Sequence, residues 1–254
     1  MIDPKRLISK GNTYIDIEKC NNDFGINLKL FDSEKELILS FCNYITSTQF
    51  DIITGWNFMG FDIIYIYNRL LKNNINPNML SPYDYVKINT KKYGDVTIAG
   101  YYVLDMLDLY KTFTSIIRSS YKLGAIAKLH LGDDKVEFEG TLDKLYEDDV
   151  QEFIHYSYKD TELLRDLDKK LGHINLRNEI RRICASTWKG AETTIGLIDP
   201  LCILYAKRNN TICKSKYGID KKEESFEGAY VRYPVPGIHR WLIDLDFKSL
   251  YPSL

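Results

Sequence analysis

The first candidate for chemistry is an aspartate on the apolar face of a predicted helix. The helical repeat over residues 148–171 places Asp160 in line with Leu163 and Leu167, so its carboxylate faces inward. Burying a carboxylate is costly unless it is paired, hydrogen-bonded or bound to a metal. Tyr156 lies four residues earlier on the same face, so its hydroxyl can reach the same place. The pattern fits either a functional carboxylate or a buried ion pair.

A second aspartate, Asp62, stands where a strand and a turn give way to a helix. Residues 51–54 predict a short buried strand, glycines then allow a tight turn, and a helix is predicted over residues 61–71. Asp62 shares a face of that helix with Ile66 and Leu70, so its carboxylate also tends inward. The plain alternative is an N-terminal carboxylate that interacts with the helix dipole.

Taken together, the two aspartates indicate metal-assisted chemistry. Mg²⁺ and Mn²⁺ prefer oxygen ligands, and two such ions can promote the hydrolysis of a phosphodiester. Tyr156 could orient the attacking water. Asp62 and Asp160 are 98 residues apart (160 − 62), so the sequence alone does not show that they meet.

The remaining patterns predict an α/β fold. Ser33 and Glu36 have the spacing of a capping box, so a helix should begin there. Its predicted inner face carries Leu37, Phe41, Tyr44 and Ile45. Strands are predicted at residues 26–30, 96–99 and 101–104, the last two as a pair around Gly100, and helices at residues 108–113 and 122–131.

The pattern changes near residue 176, which predicts a domain boundary. Helical segments continue to about residue 207, a polar stretch covers residues 214–224, and two β-like runs surround Pro234 and Pro236. We therefore predict one domain over residues 1–174 and a second region over residues 175–254.

Bulk composition excludes some classes of protein. The 254 residues are 44% hydrophobic and carry a net charge of −1, so a wholly disordered or strongly basic chain is excluded. Five scattered cysteines are expected to be free thiols in a reducing compartment. Neither a membrane span nor a secretory signal is visible, which predicts an intracellular protein.

Four segments resemble motifs of the family-B DNA polymerases, in that family's order and most like viral and tailed-phage members. Residues 51–62, with Asn57 and the pair Phe61-Asp62, resemble the second exonuclease motif. Tyr156 followed by Asp160 resembles the third, and residues 104–111 resemble the segment between them. The end of the chain, Asp246-Phe247-Lys248-Ser249-Leu250-Tyr251-Pro252-Ser253, resembles the first polymerase motif.

This resemblance implies an RNase H-like (DnaQ-like) 3′→5′ proofreading exonuclease with two Mg²⁺ or Mn²⁺ ions in each active site. Asp62 and Asp160 would be metal ligands, and Tyr156 would position the attacking water. Asn57 and Phe61 would contact the primer strand near its 3′ end. DNA is then the expected partner.

The family's first exonuclease motif, D-x-E on the opening strand, is less well matched. Asp16 and Glu18 offer a D-x-E only 46 residues before Asp62 (62 − 16), and Lys19-Cys20 replaces the small residues usual after it. One strand is predicted before Ser33 where the fold needs two, so the domain is expected to be truncated at its N-terminus. The alternative is that the true motif lies upstream and is absent, which would make the chain a poor nuclease.

The final residues predict the beginning of a polymerase palm. Residues 241–247 fit a strand that ends near Asp246, a predicted metal ligand, and the following backbone N–H groups could hold phosphates. The resemblance implies nucleotide binding by Ser249, Leu250 and Tyr251, and contact with template backbone by residues around Gly228 and Tyr230.

The second polymerase carboxylate motif is missing, so the chain alone is not expected to synthesise DNA. We therefore expect a fragment of a DNA-directed DNA polymerase, with deoxynucleoside triphosphate bound only in a complete enzyme. A separately encoded C-terminal polymerase half is a possible partner. Two alternatives remain open: a stand-alone exonuclease, and an inactive DNA-binding piece that associates with such a half. A viral origin would place the protein in the host cytoplasm.

Overall fold

The computed structural model describes residues 25, 28–48, 50–132, 141–213, 228, 230–243 and 245. Two compact units are present, Met1–Ile212 and Cys213–Leu254. Six of the predicted site residues lie outside the described part of the chain, so their roles stay predictions: Asp16, Glu18, Asp246, Ser249, Leu250 and Tyr251.

The first unit is a mixture of helices and short strands, as the sequence predicts. Its helices are α1 (Glu34–Ser47), α2 (Asp62–Lys72), α3 (Met106–Phe113), α4 (Leu123–Leu131), α5 (Leu142–Asp148), α6 (Val150–Leu171), α7 (His173–Ile183) and α8 (Thr194–Arg208). Its strands are β1 (Ile52–Gly55), β2 (Val86–Ile88), β3 (Val96–Ile98) and β4 (Tyr102–Asp105). Short 3₁₀ helices occupy Pro77–Leu80 and Gly190–Glu192.

Strand pairing differs from the prediction of a hairpin around Gly100. Both predicted strands form, but β3 pairs antiparallel with β2, and β4 pairs parallel with β1. A single bridge between Ile98 and Tyr101 is the contact across the turn. Gly100 has φ +97°, and a Cβ there would lie 2.5 Å from Cγ of Pro82, so the chain bends sharply against Pro82. This bend sends β4 to a different neighbour.

Helix α1 begins where the capping box predicts, because the Ser33 hydroxyl accepts a hydrogen bond from the Glu36 N–H at 3.3 Å. Its buried residues are Ile38, Cys42 and Ile45. The predicted inner face is confirmed at Ile45 and at Leu37, which packs against the core, but it was wrong at Phe41 and Tyr44. Phe41 and Tyr44 instead border an open cavity. An apolar stripe that lines a cavity has the same period as one that lines a core.

Two apolar clusters hold the first unit together. The first joins α1, α2 and the strands through Ile38, Cys42, Ile63, Leu70, Leu80, Ile98 and Val103. The second joins α3, α4 and α6 through Tyr110, Ile126, Ala127, Leu163 and Leu167. Burying one large aliphatic side chain stabilises a fold by roughly 1.5–3 kcal/mol, so these clusters fix the helices that carry the candidate residues.

The predicted boundary at residue 174 falls inside the first compact unit. The Trp188 ring stacks on Tyr102 of β4 with centroids 5.3 Å apart, and the Tyr102 hydroxyl donates a hydrogen bond to Glu192 at 2.8 Å. The guanidinium of Arg181 lies 4.6 Å from the centroid of the Trp188 ring. These contacts join the segment after α6 to the sheet.

At three places, the described residues do not form the strands that the sequence predicts. Leu28–Leu30, the described part of the first predicted strand, belong to no helix or strand. In the second unit, residues 230–243 also contain neither helix nor strand, so the β-like runs around Pro234 and Pro236 were wrong. The described part of the strand predicted over residues 241–247 is likewise irregular, and Trp241 has φ +62°.

Two predictions from composition can be compared with the described residues. Cys42, Cys184, Cys202 and Cys213 are free thiols, as expected, and Cys20 lies outside the described residues. Among the helices described, none is both long and apolar enough to cross a membrane.

Candidate functional site

A cavity of about 1330 Å³ in the first unit is lined by four of the predicted site residues, Asn57, Asp62, Tyr156 and Asp160. Asn57 and Asp62 reach it from the turn after β1, and Tyr156 and Asp160 reach it from α6. Strand β1 and the aromatic residues Phe41 and Tyr44 of α1 also line this cavity. The structure therefore unites the two aspartates that the sequence leaves 98 residues apart (160 − 62).

Asp62 begins α2 and is half-buried. Burial raises the pKa of its carboxyl, and the nearby charge of Asp105 raises it further, although its own backbone N–H lowers it. A carboxylate that has lost water in this way gains from a cation placed beside it. The interpretation of Asp62 as a plain helix-dipole partner leaves its position in the cavity wall unexplained.

Tyr156 and Asp160 lie one helical turn apart on α6. Helix α6 packs on α4, where Leu163 and Leu167 contact the cluster that contains Ile126 and Ala127. This packing turns the face with Tyr156, Asp160 and Leu164 toward the cavity. The predicted inward stripe of this helix is confirmed. Leu163 and Leu167 are buried in the core, and Tyr156 and Asp160 line the cavity.

The turn of residues 56–61 controls where Asn57 and Asp62 point. Asn57 has φ +58°, a left-handed conformation that asparagine tolerates better than most residues. Its carbonyl accepts hydrogen bonds from the N–H groups of Gly60 and Phe61, at 3.1 and 3.0 Å. A Cβ on Gly60 would lie 2.5 Å from Oδ1 of Asn57, so glycine is needed for the amide to lie there.

Trp56 anchors the beginning of this turn. Its indole N–H donates a hydrogen bond to the Tyr121 carbonyl at 2.9 Å, and its ring lies 5.9 Å from that of Tyr110. Tyr121 lies just before α4, so this contact links the turn to the helix on which α6 packs.

Asp105, which the sequence did not single out, holds the turn from behind. Its Oδ1 accepts hydrogen bonds from the N–H groups of Asn57 and Leu107, and its Oδ2 accepts from the N–H of Met59, all at 3.0 Å. The available signal was an aspartate that ends a strand and caps the following helix. That pattern is typical of an ordinary N-cap. It does not indicate the contacts to Asn57 and Met59, because these residues are distant in sequence.

The remaining predicted contact residues lie on exposed surface. Phe61 is 63% exposed and stacks on Tyr65 with ring centroids 6.2 Å apart. Gly228 and Tyr230 belong to the second unit, and both are exposed. Their predicted contacts with nucleic acid stay predictions.

No group of three or more histidine, cysteine, aspartate or glutamate side chains able to hold a metal is found in the described part of the chain. Asp62 and Asp160 are two oxygen donors that line one cavity, and the other two ligands predicted for the exonuclease site, Asp16 and Glu18, lie outside that part. The donor set present suits a hard divalent cation, although it is only half of the predicted set.

The first half of the chain matches a known protein family. Residues 4–126 match the model of the exonuclease domain of DNA polymerase family B. This match identifies residues 4–126 as a family-B DNA polymerase exonuclease domain. The match extends from before Asp16 and Glu18 to the early part of α4, so it includes the whole turn of residues 56–61.

Individual members of the family-B polymerases resemble most of the chain. The DNA-directed DNA polymerase of Escherichia phage RB69 is 31% identical over 88% of this chain, and that of Enterobacteria phage T4 is 30% identical over 88%. DNA polymerase 1 of Sulfolobus acidocaldarius is 28% identical over 93%. The chain spans 25%, 26% and 28% of these relatives, respectively. A family-B exonuclease domain implies an RNase H-like fold, with which the α/β architecture is consistent.

Proposed function

We propose that this chain forms the 3′→5′ proofreading exonuclease of a DNA-directed DNA polymerase. The observation that carries the proposal is that Asn57, Asp62, Tyr156 and Asp160 line the same cavity. The family match and the polymerase names of the relatives support it. The reaction is hydrolysis of the last phosphodiester at a DNA 3′ end.

Asp62 and Asp160 would hold divalent cations in this cavity. Carboxylate oxygens suit Mg²⁺ and Mn²⁺, and the half-buried Asp62 carboxylate gains from a neighbouring positive charge. Such ions, when bound, activate water and neutralise charge that develops on the phosphate.

The other residues orient the reactants. The Tyr156 hydroxyl would hold the attacking water, and its position in the lining of the same cavity as Asp160, one helical turn away, supports this role. Asn57 presents an amide that can bond to the terminal nucleotide. Because the turn of residues 56–61 is fixed at both ends, by Trp56 and by Asp105, this amide is held in place before DNA arrives.

Aromatic side chains along the cavity favour single-stranded DNA as the substrate. Phe41, Tyr44 and Phe50 line it, and Lys122 adds a positive charge at the beginning of α4. Bases stack on aromatic rings with little regard for sequence, and a cation attracts the phosphate backbone. A frayed 3′ end fits these features better than a paired one.

Asp16 and Glu18 would complete the site from the open edge of β1. Among the described strands, β1 pairs only with β4, and all four residues of β1 line the cavity. A strand carrying D-x-E and added at this edge would bring its carboxylates toward Asp62 and Asp160. Changing Asp16 and Glu18 together to alanine then abolishes nuclease activity. Full activity in that double variant would favour a motif supplied by another segment.

The polymerase side of the chain is proposed on the sequence alone. Asp246 would bind metal and Tyr251 would contact the incoming nucleotide once the rest of a palm is present. In a split arrangement, a separately encoded polymerase half would supply the second carboxylate motif. If no candidate C-terminal half gives templated extension together with this chain, with Mg²⁺ or Mn²⁺, the split arrangement is rejected.

The nuclease proposal is tested with single-stranded and duplex oligonucleotides labelled at the 5′ end. The chain should shorten the single strand from its 3′ end faster than the duplex, in a reaction that requires Mg²⁺ or Mn²⁺. Asp62→Asn keeps the shape of the side chain and removes its charge, so it should lose the activity. Salt-sensitive DNA binding without cleavage would support the alternative of an inactive DNA-binding piece.

A further inference from the structure

Asp105 is one of the most deeply buried charged groups described, with 1% of its surface exposed. It ends β4, where it stands opposite Gly55 of β1 in the parallel register. The turn of residues 56–61 leaves β1 at that point, so the carboxylate lies directly behind it. Its two oxygens accept three backbone hydrogen bonds, two of them from the turn, at Asn57 and Met59.

A hydroxyl from another loop lies between the carboxylates of Asp105 and Asp108. The Tyr93 hydroxyl lies 3.1 Å from Oδ2 of Asp105 and 2.7 Å from Oδ2 of Asp108. Burial and the two acidic neighbours raise the pKa of Tyr93, so the hydroxyl stays a donor. Its single hydrogen can bond only one of the two carboxylates at a time, and Asp108 is the nearer one. The three backbone N–H groups are therefore the fixed donors to Asp105.

Positive charges lie on the far side of Asp105. A second cavity, of about 160 Å³, is lined by Met59, Asp105, Asp108, Arg177 and Lys189 among others. Arg177 is only 6% exposed, and its Nε has no hydrogen-bond partner among the described residues. The turn of residues 56–61 therefore lines both cavities, with Asn57 at the catalytic one and Met59 at the second one.

We propose that Asp105 is the positioning residue of the exonuclease site. Its carboxylate holds the turn of residues 56–61, and this turn places Asn57 and Asp62 in the lining of the proposed catalytic cavity. The inference rests on the proposed exonuclease function for its consequence in catalysis. The hold on the turn itself is a property of the fold and can be measured without DNA.

Replacing this carboxylate by an amide separates its shape from its hydrogen bonding. Asp105→Asn has nearly the same volume, but its NH₂ group cannot accept a hydrogen bond. Whichever way the amide turns, the N–H of Asn57 or the N–H of Met59 faces another donor. A buried N–H group without an acceptor destabilises the closed form of the turn. The cost in free energy is enough to increase local opening of the turn by about tenfold.

The matched control is Asp108→Asn. It makes the same chemical change one turn further along α3, it keeps an acceptor for Tyr93, and it touches neither Asn57 nor Met59. Asp105→Glu, which keeps the charge but moves it by one methylene group, replaces Asp105→Asn if that variant does not fold. The full chain is used throughout, and hydrogen–deuterium exchange is followed in the peptide covering residues 56–61, with the α6 peptide as an internal reference.

We expect exchange in residues 56–61 to be about tenfold faster in Asp105→Asn and unchanged in Asp108→Asn, with α6 unaffected in both. In an active nuclease, kcat should fall by about the same factor in Asp105→Asn while KM for the oligonucleotide stays within about twofold. Unchanged exchange in the turn overturns the proposal, as does an unchanged kcat or an equal effect of Asp108→Asn. A wild type without nuclease activity refutes the proposed function separately, and the exchange result still decides whether Asp105 holds the turn.

Discussion

The Asn57 N–H donates a hydrogen bond of 3.0 Å to the buried carboxylate of Asp105, across 48 residues of sequence. This bond ties the turn after β1 to the end of β4, the strand beside it. Asn57 is thereby kept in a left-handed conformation, and Asp62 follows where α2 begins. The geometry of the candidate site is thus set by a contact behind it.

The Asn57 side chain and the Asn57 backbone can be tested separately. Asn57→Gly keeps the left-handed turn without strain but removes the amide, whereas Asn57→Ala also adds strain at φ +58°. We expect nuclease activity to fall in both variants. The free energy of unfolding should fall by about 1 kcal/mol in the alanine variant relative to the glycine variant. Urea denaturation and oligonucleotide digestion measure the two effects. An active glycine variant would show that the amide has no part in the reaction.

Gly60→Ala should displace the Asn57 amide. The added Cβ would lie 2.5 Å from Oδ1 of Asn57 and 3.2 Å from the Tyr93 ring. We expect a loss of activity close to that of Asn57→Gly, with a stability cost of about 1–3 kcal/mol from overpacking. Rates are compared at a temperature where every variant is folded.

The control for this change is Gly132→Ala, after α4. Gly132 has φ +71°, and a Cβ added there would meet no described atom within 4 Å, so the variant is destabilised by strain alone. Its cleavage rate should match that of the wild type. If Gly132→Ala loses as much activity as Gly60→Ala, general destabilisation explains both.

Local patterns predicted the elements well because their causes are local. The Ser33 cap, the periodicity of α2 and α6, and the inward position of Asp160 all follow from residues within about one or two turns of each other. The meeting of Asp62 with Asp160 followed from the family resemblance, since nothing in the spacing of the two residues specifies it.

Long-range contacts explain what the sequence did not predict. The role of Asp105 depends on N–H groups 48 and 46 residues away, so its neighbours in sequence give only an N-cap. The pairing of β3 and β4 with separate partners depends on how Gly100 packs against Pro82. The boundary after residue 174 was predicted from a change in the sequence pattern. Such a pattern contains no information about the stacking of Trp188 on Tyr102, which are distant in sequence.

Trp188→Ala tests whether the segment after α6 belongs to the exonuclease unit. The change removes a ring stacked on Tyr102 and a cation–π contact with Arg181, together worth about 2 kcal/mol. We expect the free energy of unfolding, followed by circular dichroism in urea, to fall by about that amount. Trp241→Ala is the control, since this ring is 97% exposed and its loss should change stability by less than about 0.5 kcal/mol. Equal stability of the two variants would favour a boundary at residue 174.

The central claim is that Asp160 and Asp62 share one catalytic site, and Asp160→Ala tests it most directly. The purified 254-residue chain is incubated with Mg²⁺ and a single-stranded oligonucleotide labelled at its 5′ end, and the release of 3′ nucleotides is timed. We predict processing from the 3′ end by the wild type and a loss of more than about 100-fold in Asp160→Ala, exceeding the loss usual for groups that only support a metal ligand. A wild type that cuts no DNA, or an Asp160→Ala variant that cuts as fast as the wild type, would contradict the account.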